Sequence, residues 1–168
     1  MNQSQLTHKE VNNKENTKEI VVITNNIRTP ENVGMLFRIS EAFGVKRIFL
    51  IGETPNLNNK KVLRTARSTE KMLDITFVET AAKLITDLRT DNFQLIGLEL
   101  AQNSVSITDF NFLNQSKIAL FVGAERFGID AQILDNLDAC VHINMFGKNS
   151  SVNVVNALAI ALFEINRG

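Results

Sequence analysis

The sequence predicts an α/β fold built on a mostly parallel sheet. Three observations lead there. Runs such as Ile20-Val21-Val22-Ile23 and Ile118-Ala119-Leu120-Phe121-Val122 are unbrokenly apolar, the pattern of strands buried on both faces. Helical segments separate these runs, so strand and helix alternate along the chain. The 168 residues, 44% hydrophobic and 21% charged, suffice for one domain whose core needs neither disulfide nor structural metal.

The elements follow in order. Residues 1–18, MNQSQLTHKEVNNKENTK, are rich in Asn, Lys and Gln and too polar to offset their ordering entropy. They read as a disordered or loosely attached tail, and residues 19–168 as a single domain. Ile20–Ile23 is the first strand. Pro30 suits the first turn of a helix, with Thr29 as a possible N-cap, running to about Phe43 and stopping at Gly44. Ile48–Ile51 is the second strand, ended by Gly52. The polar stretch Asn56–Lys61 leads into a short basic segment. Ile75–Val78 is the third strand. Residues 80–90 suit a helix with Ala81, Leu84, Ile85 and Leu88 on one face. Phe93–Leu100 is the fourth strand, Ile118–Val122 the fifth and Ala139–Ile143 the sixth, with a short helix over 130–137. A last helix starts near Ser151 and runs to about Asn166. Ligands of such folds sit beyond the carboxyl ends of the strands, here after Ile23, Leu98, Val122 and Ile143.

Composition narrows the function. Eighteen basic and eighteen acidic side chains cancel, which argues against a globally basic nucleic-acid binder and leaves room for a local patch. A single cysteine excludes an internal disulfide and a multi-cysteine zinc site. No His, Cys and carboxylate spacing suits a metal. No window is apolar enough to span a membrane, and the N-terminus is too polar for a signal peptide, so the expected compartment is the cytoplasm. Neither G-x-G-x-x-G nor G-x-x-x-x-G-K-[ST] occurs, against dinucleotide cofactors and P-loop hydrolysis. His8 lies in the tail. Cys140 and His142 share one face of a strand, where Cys140 reads as buried filler rather than a nucleophile.

Three segments at strand ends could carry chemistry. The first runs from Asn25 to Arg38. Arg38 reads either as a surface arginine paired with Glu41 or Glu31, or as a functional cation in an apolar helix. The second is Gly123-Ala124-Glu125-Arg126-Phe127-Gly128, two glycines bracketing a Glu-Arg pair. It is either a plain strand-to-helix turn or a turn that lets backbone approach a ligand. The third runs from Ile143 to Asn153 and is rich in small polar groups, with Ser150 or Ser151 as the N-cap of the last helix. That helix is apolar nearly all round, which predicts a partner subunit over one side, the alternative being a single central helix in a monomer. Between the second and third strands, Lys60, Lys61, Arg64, Arg67 and Lys71 form a basic cluster. At helical spacing four of them share a face that could track phosphates or simply be solvated.

Taken together, the three segments resemble the motifs of the SpoU, or TrmH-like, branch of the SPOUT RNA methyltransferases. The first appears as Asn32-Val33-Gly34, Arg38 and Glu41-Ala42-Phe43-Gly44. The second is Gly123 to Gly128. The third is Ile143 to Gly147 followed by Ser151-Val152-Asn153-Val154-Val155. The resemblance implies a SPOUT-type α/β sandwich with a C-terminal trefoil knot, S-adenosylmethionine as cofactor and a homodimer. It implies 2′-O-methylation of a ribose in RNA, with tRNA ahead of rRNA. Carried over by position, Arg38 would engage the 2′-hydroxyl or a neighbouring phosphate, and Asn32 would orient Arg38 or the substrate. Glu125 would hold the active-site loop or an arginine. Ser151 and Asn153 would position the substrate phosphate and the loop. Leu98, Gly123, Ile143, Met145 and Val152 would line the adenosine pocket. The chain departs from the pattern at Asn144, which replaces a proline, and at Ala124. Val155 and Asn156 replace a serine and a small apolar residue, which would place an amide on a buried helix. A catalytically silent RNA-binding relative with the same fold is the alternative.

Overall fold

Seven strands form one sheet in the computed structural model of the chain, which describes residues 5–7 and 10–167. They are β1 (Glu19–Asn25), β2 (Arg47–Ile51), β3 (Asp74–Val78), β4 (Gln94–Leu98), β5 (Val105–Ser106), β6 (Lys117–Val122) and β7 (Ala139–His142). Their order across the sheet is β3-β2-β1-β6-β4-β7-β5, and every pairing is parallel. All carboxyl ends therefore open on one edge.

The unbroken apolar runs are explained by two cores, one on each face of the sheet. On one face Ile20, Val22, Ile48, Leu50, Ile118 and Leu120 pack with Leu36 and Phe37 of α1 (Pro30–Ala42) and with Leu158 and Leu162 of α5 (Val154–Arg167). On the other, Val21, Ile23, Leu95 and Phe121 pack with Leu84, Ile85 and Leu88 of α3 (Ala81–Thr90) and Ile133 of α4 (Ala131–Leu134). Successive strand residues point to opposite faces, so both must be apolar.

α2 (Lys60–Ala66) lies against α1. Gly34 permits the close approach. A Cβ there would stand 2.5 Å from the Val62 carbonyl oxygen and 2.9 Å from the Ala66 nitrogen.

Several boundaries differ from the sequence expectation, each for a local reason. β4 ends at Leu98, two residues early, because the Glu99 carboxylate accepts the Leu100 N–H at 3.1 Å and turns the chain. The helix expected over 130–137 is the single turn α4. α5 starts at Val154, not Ser151. Its cap is Asn153, whose Oδ1 accepts the Val155 N–H at 2.9 Å and whose carbonyl accepts the Ala157 N–H at 3.0 Å; Ser150 and Ser151 lie outside the helix. Thr29 holds the N-cap position of α1 through its backbone, with no side-chain cap bond. Asn156 is exposed and so puts no amide on the buried side of α5. Strand β5, two residues long, has no apolar run to announce it.

The basic cluster is also corrected. α2 stops at Ala66, and Arg67 and Ser68 follow with φ of 53° and 71°, both left-handed. Lys71 then falls in a 3₁₀ turn at Thr69–Met72. Lys60, Arg64, Arg67 and Lys71 thus share no single helical face.

α5 buries Val155, Leu158, Ala161, Leu162 and Ile165 against the sheet, while Ile160 and Phe163 stand out at 42% and 60% exposure. Before β1, Asn16 donates to the Phe43 carbonyl at 3.3 Å and the Lys18 ammonium to the Ile165 carbonyl at 3.0 Å. His8 lies outside the described residues. Among the described residues no helix is long and apolar enough to cross a membrane.

Candidate functional site

The carboxyl ends of β4, β6 and β7 enclose a cleft of about 670 Å³. Leu98, Gly123, Ile143, Met145 and Val152 all line it, as do Glu125, Ser151 and Asn153. Parallel pairing explains the gathering, since the segment after each strand emerges on the same edge.

A hydrogen-bonded line crosses the site and joins all three motif segments. The Asn32 amide donates to Glu125 Oε1 at 2.5 Å. The Asn153 amide donates to Asn32 Oδ1 at 3.2 Å. Asn153 Oδ1 in turn accepts from the first turn of α5. Each amide thereby has its donor and acceptor ends assigned, and the three side chains hold one another in place. Asn32 stands on the first turn of α1 because Pro30 starts that helix directly beyond β1.

The loop after β6 is closed by its own backbone. Ala124 and Gly128 exchange hydrogen bonds of 3.0 and 2.8 Å, and Gly128 has φ +69°. A Cβ on Gly123 would overlap the Gly128 backbone. The turn therefore needs its two glycines, and the charges between them are carried at its tip.

Arg38 lies six residues beyond Asn32 on α1 and is half-buried. Among the described residues no carboxylate pairs with it; its nearest polar contact is the Met35 sulfur at 3.7 Å. The pairing with Glu31 or Glu41 is not formed, and Glu31 faces Lys61 at 3.8 Å instead. Neither Arg38 nor Asn32 lines the cleft. The cations Lys60, Lys61, Arg64, Arg67 and Lys71 are all exposed and lie outside it too.

Sequence reasoning missed Glu99. Its carboxylate borders the cleft and accepts the Ile129 N–H at 3.0 Å as well as the Leu100 N–H, tying the end of β4 to the end of the Gly123–Gly128 turn. The available signal was an acidic residue directly after a buried strand at the ligand edge. Asn144 donates to Ser106 Oγ at 2.9 Å, so the loop that lacks the motif's proline is fastened to β5.

Cys140 gains no nucleophilic character. Burial pushes its thiol pKa up, and the nearby Glu99 carboxylate adds to the shift. His142 Nδ1 is 2.9 Å from Ser104 Oγ. Among the described residues no group of His, Cys, Asp and Glu gathers as metal ligands.

A second cavity, about 730 Å³, opens between α3 and α4. There the Asp130 carboxylate accepts from Asn25 and Asn26, each at 3.0 Å. No motif residue named above, from Asn32 to Asn153, lines it.

Known proteins resemble this chain in sequence and in fold. A tRNA (guanosine(18)-2′-O)-methyltransferase of Saccharomyces cerevisiae is 27% identical over 157 residues, covering 92% of this chain and 11% of that protein. The chain thus spans about a tenth of that relative's length. An AdoMet-bound rRNA methyltransferase from Sinorhizobium meliloti superposes with a TM-score of 0.80 at 23% identity, over 91% of this chain and 57% of that one. A TrmH/SpoU tRNA modifying enzyme of A. aeolicus gives 0.80 at 22%, over 90% and 77%. These two likenesses show the fold. The model of the SpoU rRNA Methylase family matches residues 19–163, and the chain belongs to that family.

Proposed function

We propose that this chain methylates a ribose 2′-oxygen in RNA, using S-adenosylmethionine, with tRNA as its substrate class. One observation carries the reading. The Glu125–Asn32–Asn153 line assembles the three family motifs beside a single cleft at the ligand edge of the sheet.

The cleft fits the cofactor. Its volume lies within the range of small-molecule sites. Leu98, Ile143 and Val152 offer apolar surface to an adenine, and backbone at Gly123, directly after β6, and at Met145, in the loop after β7, can read its edge. When bound, S-adenosylmethionine supplies an electrophilic methyl group. The chain supplies binding, position and charge. Arg38, six residues beyond Asn32 on α1 and without a carboxylate partner among the described residues, is the group that holds the 2′-oxygen or an adjacent phosphate in this reading; a guanidinium offers donors only. Asn32 and Glu125 keep the first turn of α1 against the Gly123–Gly128 turn. Asn153 and Ser151 hold the loop before α5, where the helix N-terminus suits a substrate phosphate.

The remaining parts follow the same reading. Lys60, Lys61, Arg64 and Arg67, on or just beyond α2, form a phosphate-binding flank, with Lys71 beyond the left-handed turn. The outer face of α5 pairs with a second copy. The trefoil knot that the family resemblance implies accompanies the fold in this reading, supported by membership of the SpoU family. The cytoplasm is the proposed compartment, and no metal is required.

The test is transfer of labelled methyl groups from S-adenosylmethionine to bulk tRNA. Arg38→Ala should lose transfer by at least about a hundredfold while keeping the circular dichroism of the parent. Cofactor binding without transfer to any RNA would favour the silent RNA-binding relative. Neither binding nor transfer would reject both the cofactor and the reaction.

A further inference from the structure

Two exposed phenylalanines stand on the loops that border the cleft, and the proposed chemistry uses neither. Phe127 lines the cleft's edge and is 70% exposed; Phe146, in the loop after β7, is 98% exposed. A single exposed apolar side chain means little. Here both stand on loops that carry family motifs, and each has a cation within two residues along the chain. The Arg126 guanidinium lies over the Phe127 ring, 5.4 Å from its centroid. Lys148 is exposed two residues beyond Phe146.

Neither ring holds its loop together. The Gly123–Gly128 turn is closed by the backbone pair Ala124–Gly128. The loop after β7 is tied by Asn144 to Ser106. These aromatics are free for a ligand.

We infer that Phe127 and Phe146, with Arg126 and Lys148, form a stacking rim for unpaired RNA bases flanking the methylated ribose. Ring faces accept any base, and the adjacent cations meet the backbone phosphates. A polyanion suits this pair of loops because Arg126 and Lys148 both carry positive charge, and lysine is depleted at protein interfaces. The inference rests on the RNA reading above and assigns that substrate's neighbouring nucleotides a place.

The chain has no Trp or Tyr, so Phe127→Trp and Phe146→Trp each install a single fluorescent reporter. Each variant is titrated with a short single-stranded RNA and with an abasic oligomer of equal length, while binding is followed separately by gel mobility. Emission should be quenched by the base-bearing RNA and not by the abasic strand. Phe146→Ala, outside the cleft lining, should weaken binding of the base-bearing RNA about tenfold and leave S-adenosylmethionine binding unchanged. RNA that binds without changing either emission, or equal changes with both strands, would overturn the rim and leave the methyltransferase reading standing. Emission that depends on protein concentration without RNA would assign the rim to self-association and overturn it. Absence of any RNA binding would remove the RNA reading and the rim together.

Discussion

Asn32 does two jobs with one amide. Its nitrogen holds Glu125 and its oxygen holds Asn153. An aspartate has the same shape but cannot donate, so the position asks for the amide itself. Glu99 works similarly, with one carboxylate bridging the end of β4 and the turn after β6. It also sets the chemistry of its neighbour. Burial first, and the Glu99 charge second, raise the Cys140 thiol pKa. The folded chain therefore keeps the thiol proton more tightly than the unfolded chain does. This contribution is present at neutral pH and is lost as pH rises through the range where the unfolded thiol ionises and then the folded one. Alkylation of Cys140 should thus lag behind that of a free cysteine at mildly alkaline pH. Glu99→Gln should bring its rate-against-pH profile downward in pH. A profile matching free cysteine in the parent would contradict the burial argument.

At the scale of elements, the contact between α1 and α2 decides where the basic flank stands relative to Arg38. Gly34 sets that contact. Alanine at this position gains about 1 kcal/mol of helix propensity. Its methyl would also meet the Val62 carbonyl at 2.5 Å, a backbone atom that cannot rotate away. Overpacking of this kind costs about 1–3 kcal/mol. Gly34→Ala should therefore lower the urea midpoint of unfolding, and an unchanged or raised midpoint would show that the helices can separate freely. The turn at Arg67 and Ser68 belongs to the same scale. The run Lys60–Lys71 contains neither glycine nor proline, so nothing local announces two successive left-handed residues. Helical spacing consequently read through the break that follows Ala66.

For the whole molecule the open question is the outer face of α5. The helix carries apolar residues on both sides for different reasons, with the exposed Asn156 among those on the outer side. Its inner stripe belongs to the core, whereas Ile160 and Phe163 reach away from it. A second copy is the occupant proposed here. The chain should sediment as a dimer at micromolar concentration, and Phe163→Glu should shift it toward monomer without unfolding it. A monomeric parent would mean that the apolar outer face has another purpose.

The sequence by itself determined the fold class, the position of six strands and the three motif segments. Burial on both faces, helix punctuation and strand-end glycines are all written in local pattern. It also singled out Asn32, Glu125 and Asn153 through their resemblance to family motifs. What it could not show was that these three side chains bond to one another across 93 and 121 residues of chain. That meeting depends on β6 lying between β1 and β4, and on β7 lying beside β4, an order set by packing rather than by any local signal. The same holds for Glu99 and for the broken basic stripe. Only the tertiary structure decided them, because their partners are distant in sequence and adjacent only once the sheet is assembled.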